Sequence, residues 1–327
     1  MDLPETFSAL PSSRSLVRQV VDARALWRAK RQALEAQRRR STRRGMRLLS
    51  PVPRFVRLAE PLLQFLGWYR RGVRNALALG VSEVELFFPN LPPAFDGYSI
   101  LHLTDLHLRR LPRLIDRIVE QARDHAVDLA VITGDFQSHG WPSAEVVAAD
   151  AAQLVAGLNA RDGVLGVLGN HDTHQIVEPL EQAGIRMLVN ERASITRGDG
   201  VIHITGLDDI NRFYTPEAER VLSEPAPGPF AMALVHSAEL ADVAAAAGYS
   251  LYLSGHTHGG QICLPGGHPI FTALDSHRRL VAGQWQWDGM LGYTSRGVGV
   301  SQRARFNCPP ELVVLRLRCE PVPVLPL

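Results

Sequence analysis

Five short groups in this 327-residue chain carry side chains that bind cations and move protons. They are Asp105 with His107, Gly134 with Asp135, the run Gly169, Asn170, His171 and Asp172, then His236, and last Gly255, His256 and His258. A site holding two cations roughly 3.5–4 Å apart needs one ligand that touches both, which a carboxylate with two oxygens can do and an imidazole cannot. Mixed carboxylate, imidazole and amide donors suit Mn²⁺, Fe, Zn²⁺ or Co²⁺ better than Ca²⁺. Two such cations lower the pKa of a shared water to give a hydroxide that attacks phosphorus in line, while they neutralise the equatorial oxygens. That chemistry needs no activated Ser or Cys, and the chain has no convincing nucleophile motif.

Each group closes an apolar run, at residues 99–104, 127–133, 164–168, 230–235 and 249–254. Short apolar runs of this kind are read as buried strands, and ligands gather beyond the carboxyl ends of such strands. Gly134, Gly169 and Gly255 each precede a candidate ligand, where glycine permits special backbone conformations and close approach of the chain. Taken singly, an Asp-x-His or Gly-Asp pair is a common turn, and Gly-Asn-His-Asp could be a turn followed by a helix cap. Two histidines at alternating positions after an apolar run are harder to explain that way. Five groups in order point to one site.

In that order the groups resemble the calcineurin-like metallophosphoesterase superfamily, whose pattern runs D-x-H, G-D, G-N-H-D/E, H and G-H-x-H. The likeness covers roughly residues 98–318. Residues 88–97 and 255–261 resemble the bacterial branch of membrane-associated or exported phosphodiesterases. The resemblance implies Asp105, His107 and His258 around one divalent metal ion, Asn170, His236 and His256 around a second, and Asp135 bridging them. It also implies that His171 acts near the leaving group as acid or charge stabiliser, with Asp172 orienting its imidazole through the other ring nitrogen.

His139 and His174 follow motif residues closely and are candidates to line the substrate pocket. Arg296, after a late apolar run, could reach a substrate phosphate or a carboxylate. His102 lies within the first apolar run and is expected to be packed or hydrogen-bonded. His125, His203, His268 and His277 lack partner spacing. Cys263, Cys308 and Cys319 show neither ligand spacing nor a disulfide framework, and Cys263 reads as a small buried hydrophobe.

The architecture implied is α/β: a four-layer α-β-β-α sandwich of two mixed sheets, the metallophosphatase fold, with a basic N-terminal helical extension. Helices are expected at 111–125, 142–158, 174–183, 216–223 and 238–247, between strand-like runs. Residues 290–295 and 311–318 are expected to complete the second sheet.

The net charge of +2 hides a division. Residues 1–80 hold 17 Lys and Arg against 5 Asp and Glu, whereas the rest holds 18 against 28. The expected division is therefore a basic extension over 1–80 and a phosphoesterase domain over 81–327. Residues 14–40 read as helix, Pro51 and Pro53 break the pattern, and a second helical stretch runs from Pro61 to 79 with an apolar face at Leu62, Leu63, Phe65, Leu66, Trp68 and Tyr69. Such a face beside Arg70, Arg71 and Arg74 suits an anionic membrane surface, or else packing on the domain or a partner. The apolar piece is far short of the roughly 20 residues a span requires. Asp2 and Glu5 at the start, and Arg54 and Arg57 after the Arg43 and Arg44 pair, argue against an export signal, so a cytoplasmic location, peripheral on the inner membrane, is expected.

Three functions stay open at this level. The first is a metal-dependent hydrolase of a phosphodiester or pyrophosphate, membrane-related and of the UDP-2,3-diacylglucosamine type. The second is a nuclease or cyclic nucleotide phosphodiesterase, with the arm following a nucleic-acid backbone. The third is a non-catalytic membrane-binding scaffold that retains its metals.

Overall fold

The computed structural model describes residues 13–43, 68–301 and 303–320. The chain divides into two compact units, Met1–Leu48 and Leu49–Leu327. In the first, α1 (Ser13–Arg43) is a single long helix with an Arg31 to Glu35 pair at 3.3 Å, one turn apart. Pro51, Pro53, Arg54, Arg57 and the apolar positions from Leu62 to Leu66 lie outside the described residues, as does the segment after Arg43 up to residue 67.

The second unit begins, among the described residues, with α2 (Trp68–Leu77). This helix is fastened to the 304–306 segment: Gly72 O accepts the Arg305 amide at 3.0 Å and Asn75 donates to Arg305 O at 3.0 Å. A side chain at Gly72 would collide with Ala304 and Phe306, so the small residue sets how closely the helix lies.

Two six-stranded mixed sheets follow. One has the order β1 (Gly80–Phe88), β12 (Glu311–Cys319), β2 (Ser99–Leu103), β3 (Leu129–Ile132), β4 (Val164–Gly166) and β5 (Ile185–Met187). The other runs β10 (Gly283–Trp287), β11 (Met290–Thr294), β9 (Leu251–Ser254), β8 (Ala231–Leu234), β7 (Gly200–Gly206) and β6 (Glu191–Arg197). Strands β2 to β5 are mutually parallel, as are β7, β8, β9 and β11.

Period-two alternation decides what each face does. Ile100, Leu129, Val131, Met232, Leu234, Leu251 and Leu253 point into one shared core between the sheets. Their neighbours Ala231, Ala233 and Tyr252 face outward into a second core beneath α6 (Pro216–Ser223) and α7 (Ala241–Ala246). On the opposite face lie α3 (Leu114–Ala122), α4 (Ala144–Gly157) and α5 (Val177–Gln182), with Ile118, Val147, Leu154 and Leu180 buried. This is a helix–sheet–sheet–helix sandwich, and all five helical segments expected in the domain are present.

One expected placement is corrected. Residues 311–318 do not complete the second sheet, because β12 inserts into the first, parallel to β1 and antiparallel to β2. The 295–310 connection carries the chain across, past the end of β2, where the Val298 and Gly299 amides bond Thr104 O and Asp105 O at 3.1 and 3.0 Å. Strand β1 was not foreseen at all.

Candidate metal centre

The predicted ligands leave the carboxyl ends of five parallel strands. From the first sheet come Asp105 and His107 after β2, Asp135 after β3 and Asn170 after β4. The second sheet sends His236 after β8, with His256 and His258 after β9. Backbone bonds tie these loops together: Asp105 N to Gly134 O at 3.0 Å, His107 N to Asp135 O at 2.9 Å, and Gly255 N to His236 O at 2.9 Å. Asp105, His107, Asp135, His256 and His258 all have positive φ, between 41° and 70°. Such conformations cost of order 1–3 kcal/mol each and persist only where the surroundings enforce them.

The side chains converge. Asp135 Oδ2 lies 3.6 Å from His107 Nε2 and 3.4 Å from His236 Nε2, so it faces both halves of the set. Asp105 Oδ1 is 3.3 Å from His258 Nε2 and 3.9 Å from His107 Nε2. On the other side Asn170 Oδ1 is 3.1 Å from His236 Nε2 and 2.8 Å from His256 Nδ1. The remaining oxygens are fixed by the backbone, Asp135 Oδ1 by the His171 amide at 2.9 Å and Asp105 Oδ2 by the His256 amide at 2.9 Å.

Proton placement tests whether this set fits cations. His107 Nδ1 bonds Gln137 O, His236 Nδ1 bonds Thr133 O at 2.7 Å, and His256 Nε2 bonds Ala273 O. A carbonyl can only accept, so His107 and His236 each hold a ring proton on Nδ1, whereas His256 has an acceptor oxygen at both nitrogens and the Asn211 amide beside Nε2. Nε2 of His236 and Nδ1 of His256 both face Asn170 Oδ1, and Nε2 of His107 faces Asp135, the positions from which they would hold a cation. Buried Asp105 Oδ1 has no hydrogen-bond partner. Oxygen and nitrogen lone pairs crowded together with no proton between them fit a pair of divalent cations.

The electrostatics agree. Burial pushes His107 and His256 down to about 4, so they stay neutral as ligands must. Burial also opposes charge on His236, but Asp135 and Asp105 outweigh it and lift its pKa to about 10, a measure of the negative potential a cation would answer. Asp105 is raised to about 6 by burial, against the pull of His236.

Residues 98–260 match the family model of the calcineurin-like phosphoesterases. The metallophosphoesterase YkuE of Bacillus subtilis is 31% identical over 70% of this chain and 82% of its own length. The chain belongs to this family. The phosphodiesterase YaeI of Escherichia coli is 28% identical over 77% of this chain and 89% of its own length, and the metallophosphoesterase YkoQ of Bacillus subtilis is 27% identical over 64% and 79%.

Around the phosphoesterase centre, the other predicted residues are placed as follows. His171 stands beside it, Nε2 at 3.8 Å from Asp135 Oδ2. Its Nδ1 accepts the backbone N–H of His139 at 3.2 Å, which fixes the ring proton on Nε2. Asp172 was expected to orient that ring. Its carboxylate accepts the amides of Asp135, Gln137 and Gly169 at 2.9, 2.8 and 2.8 Å, clamping the two ligand loops. The His139 ring lies against His171, tilted at 60° with ring centres 4.2 Å apart.

Arg296 pairs with the buried Glu311 carboxylate at 2.9 Å, the second of its two expected roles. His174 opens the short turn His174–Ile176, just after the Asp172 loop. His102 is buried and bonds Thr133 Oγ1 at 2.8 Å, a packing role. Cys263 is buried as expected.

Sequence reasoning missed two features. Buried Arg305 donates to the carbonyls of Arg296, Gly299, Cys308 and His258, bracing the loop that carries His258. The turn after β7 lays Asn211 3.0 Å from His256 Nε2 and Arg212 3.2 Å from His139 Nδ1. The buried pair Asp208 and Asp209, polar residues directly after an apolar run, was the available signal.

Proposed function

We propose that the protein hydrolyses a phosphodiester or pyrophosphate bond at a dinuclear centre. Asp105, His107 and His258 hold one divalent ion, Asn170, His236 and His256 hold the other, and Asp135 bridges them. The observation that carries this reading is the convergence of unprotonated imidazole nitrogens and carboxylate oxygens on Asp135 Oδ2 and Asn170 Oδ1. Mn²⁺, Fe, Zn²⁺ and Co²⁺ all suit these donors. Bound ions of this kind supply Lewis-acid chemistry, activating water and neutralising charge on phosphoryl oxygens.

The chain's own residues do the rest. His171, neutral with its proton on Nε2, would donate a hydrogen bond to the departing oxygen and stabilise the charge that develops there. The His139 amide keeps the ring in this tautomer. Asp172 keeps the Asp135 and Asn170 loops in register. A diester is favoured over a monoester by likeness to the phosphodiesterase YaeI.

An amphiphilic substrate such as a UDP-2,3-diacylglucosamine-type lipid is supported by exposed apolar side chains on the loops that leave the site. Trp141 follows the His139 turn, Tyr214 follows Arg212, and Ile270 and Phe271 precede Ala273, which bonds His256. No described helix is long and apolar enough to cross a membrane. An extension over residues 1–80 that meets an anionic surface complements this reading.

The test is a substrate screen of Mn²⁺-loaded protein against bis-p-nitrophenyl phosphate, monoesters and nucleoside diphosphate lipids, with Asp135→Asn as control. Diester or pyrophosphate cleavage abolished by Asp135→Asn supports the proposal. Two bound metals per chain with no turnover of any ester would leave the scaffold reading instead.

A further inference from the structure

The turn after β7 is built with unusual investment for an exposed loop. Asp209, fully buried, accepts the amides of Asn211, Arg212 and Phe213 at 3.1, 2.7 and 2.9 Å. Asp208, equally buried, accepts the Asp209 amide at 2.7 Å, and its own amide bonds Asn190 Oδ1 at 2.9 Å. Ile210 and Phe213 are buried anchors on either side. A carboxylate that takes three consecutive amides fixes the backbone as a rigid turn. What this turn presents is Asn211 and Arg212.

Arg212 Nη1 donates to His139 Nδ1 at 3.2 Å. The guanidinium can only donate, so His139 accepts at Nδ1 and keeps its proton on Nε2. Among the described residues no carboxylate is paired with Arg212, unlike Arg296 with Glu311 or Arg197 with Asp128 and Asp162. Half-buried cationic donors beside a phosphoesterase centre, without a carboxylate of their own, are suited to a phosphate. Position decides which phosphate. Contact by contact, His171 lies 3.8 Å from Asp135, the His139 ring is tilted against His171 with centres 4.2 Å apart, and Arg212 meets His139. The guanidinium is thus joined to the bridging carboxylate through two imidazoles and also feels the Asp135 charge directly.

We propose that Arg212 and His139 form a subsite for a second phosphate, on the leaving-group side of the one that reacts, so that the site selects pyrophosphate-linked substrates over simple diesters. This rests on the hydrolase reading above and narrows it.

The test uses the full-length, metal-loaded chain and two probes that cannot be hydrolysed at their P–C bonds, methylphosphonate and methylenediphosphonate, titrated by calorimetry. Wild-type protein prefers the diphosphonate. Arg212→Ala weakens the diphosphonate about tenfold or more, the scale of one charge-assisted contact, and methylphosphonate less than threefold. Arg212→Lys recovers part of the difference. Metal content and melting temperature are measured alongside, so that a folding defect is recognised. Equal losses for both probes, or no loss, would overturn the subsite. The hydrolase reading fails separately, through absence of turnover by wild-type protein on bis-p-nitrophenyl phosphate and pyrophosphate diesters, while the probe ratio still decides the role of Arg212.

Discussion

His107 and His258 face each other through Nε2 atoms 3.1 Å apart, with rings nearly parallel at 14° and centres 5.0 Å apart. His107 donates its Nδ1–H to Gln137 O, so its Nε2 brings a lone pair to the contact. The pair is therefore arranged as two ligands of one ion beside Asp105, and burial keeps both rings neutral. His258→Ala is expected to reduce bound metal from two to about one per chain, measured by plasma mass spectrometry. Retention of two ions would remove His258 from the first site.

His171 carries its proton on Nε2, facing the centre. Replacing it with Ala is expected to lower kcat by roughly 10²–10³, the usual contribution of a positioned donor to developing negative charge, with metal content near two. Loss of a metal ion instead would make His171 structural.

Asp172 predicts a different signature. Burial, reinforced by Asp135, pushes its carboxyl up to about 8, yet it is the acceptor for three amides from two ligand loops. Asp172→Asn places an amide group against backbone N–H donors, at a cost of about 1–3 kcal/mol for each unsatisfied group. Calorimetry should register a fall in Tm of several degrees. An unchanged Tm with a hundredfold lower kcat would return Asp172 to the orienting role expected from the sequence.

Gly169 leaves no room for a side chain: a Cβ there would press into the Asp135 amide and carboxylate. Gly169→Ala should therefore displace the bridging carboxylate and abolish binding of both ions. Gly80, at the start of β1, has nothing within 4 Å of the corresponding position. Gly80→Ala is the matched control, and metal titration of the two variants should separate them by at least tenfold.

The candidate ligands were legible because each strand end contributes its donor locally, directly after an apolar run, and the order of groups is preserved in the chain. The same holds for the helices, whose periodicity is local. What could not be read depends on distant pairing. Strand β12 has two apolar faces that would suit either sheet, and the 295–310 connection alone decides between them. The tautomer of His171 is set by a backbone amide, which leaves no trace in residue identity. Arg212 looks like any surface arginine until Asp209 is seen to hold its backbone.

Arg305 belongs to that second class and yields the strongest stability prediction. It is fully buried, burial lowers its pKa, and its Nη2 donates at 2.7 Å to both Arg296 O and Gly299 O. Its Nη1 reaches Cys308 O and His258 O at 3.3 and 3.4 Å. A planar fork meets these diverging carbonyls where an ammonium cannot, so Lys is not an equivalent replacement. Arg305→Lys and Arg305→Met should each destabilise the domain by about 3 kcal/mol or more, because several buried carbonyls lose their donors together. Since one of those carbonyls belongs to His258, the affinity of the first metal site should also fall, by tenfold or more in a metal titration at a temperature where the variant is still folded. A Tm within about 2 °C of wild type for both variants, given the several degrees a loss of this size implies, would show that water replaces the guanidinium and that His258 is positioned by the β9 loop alone.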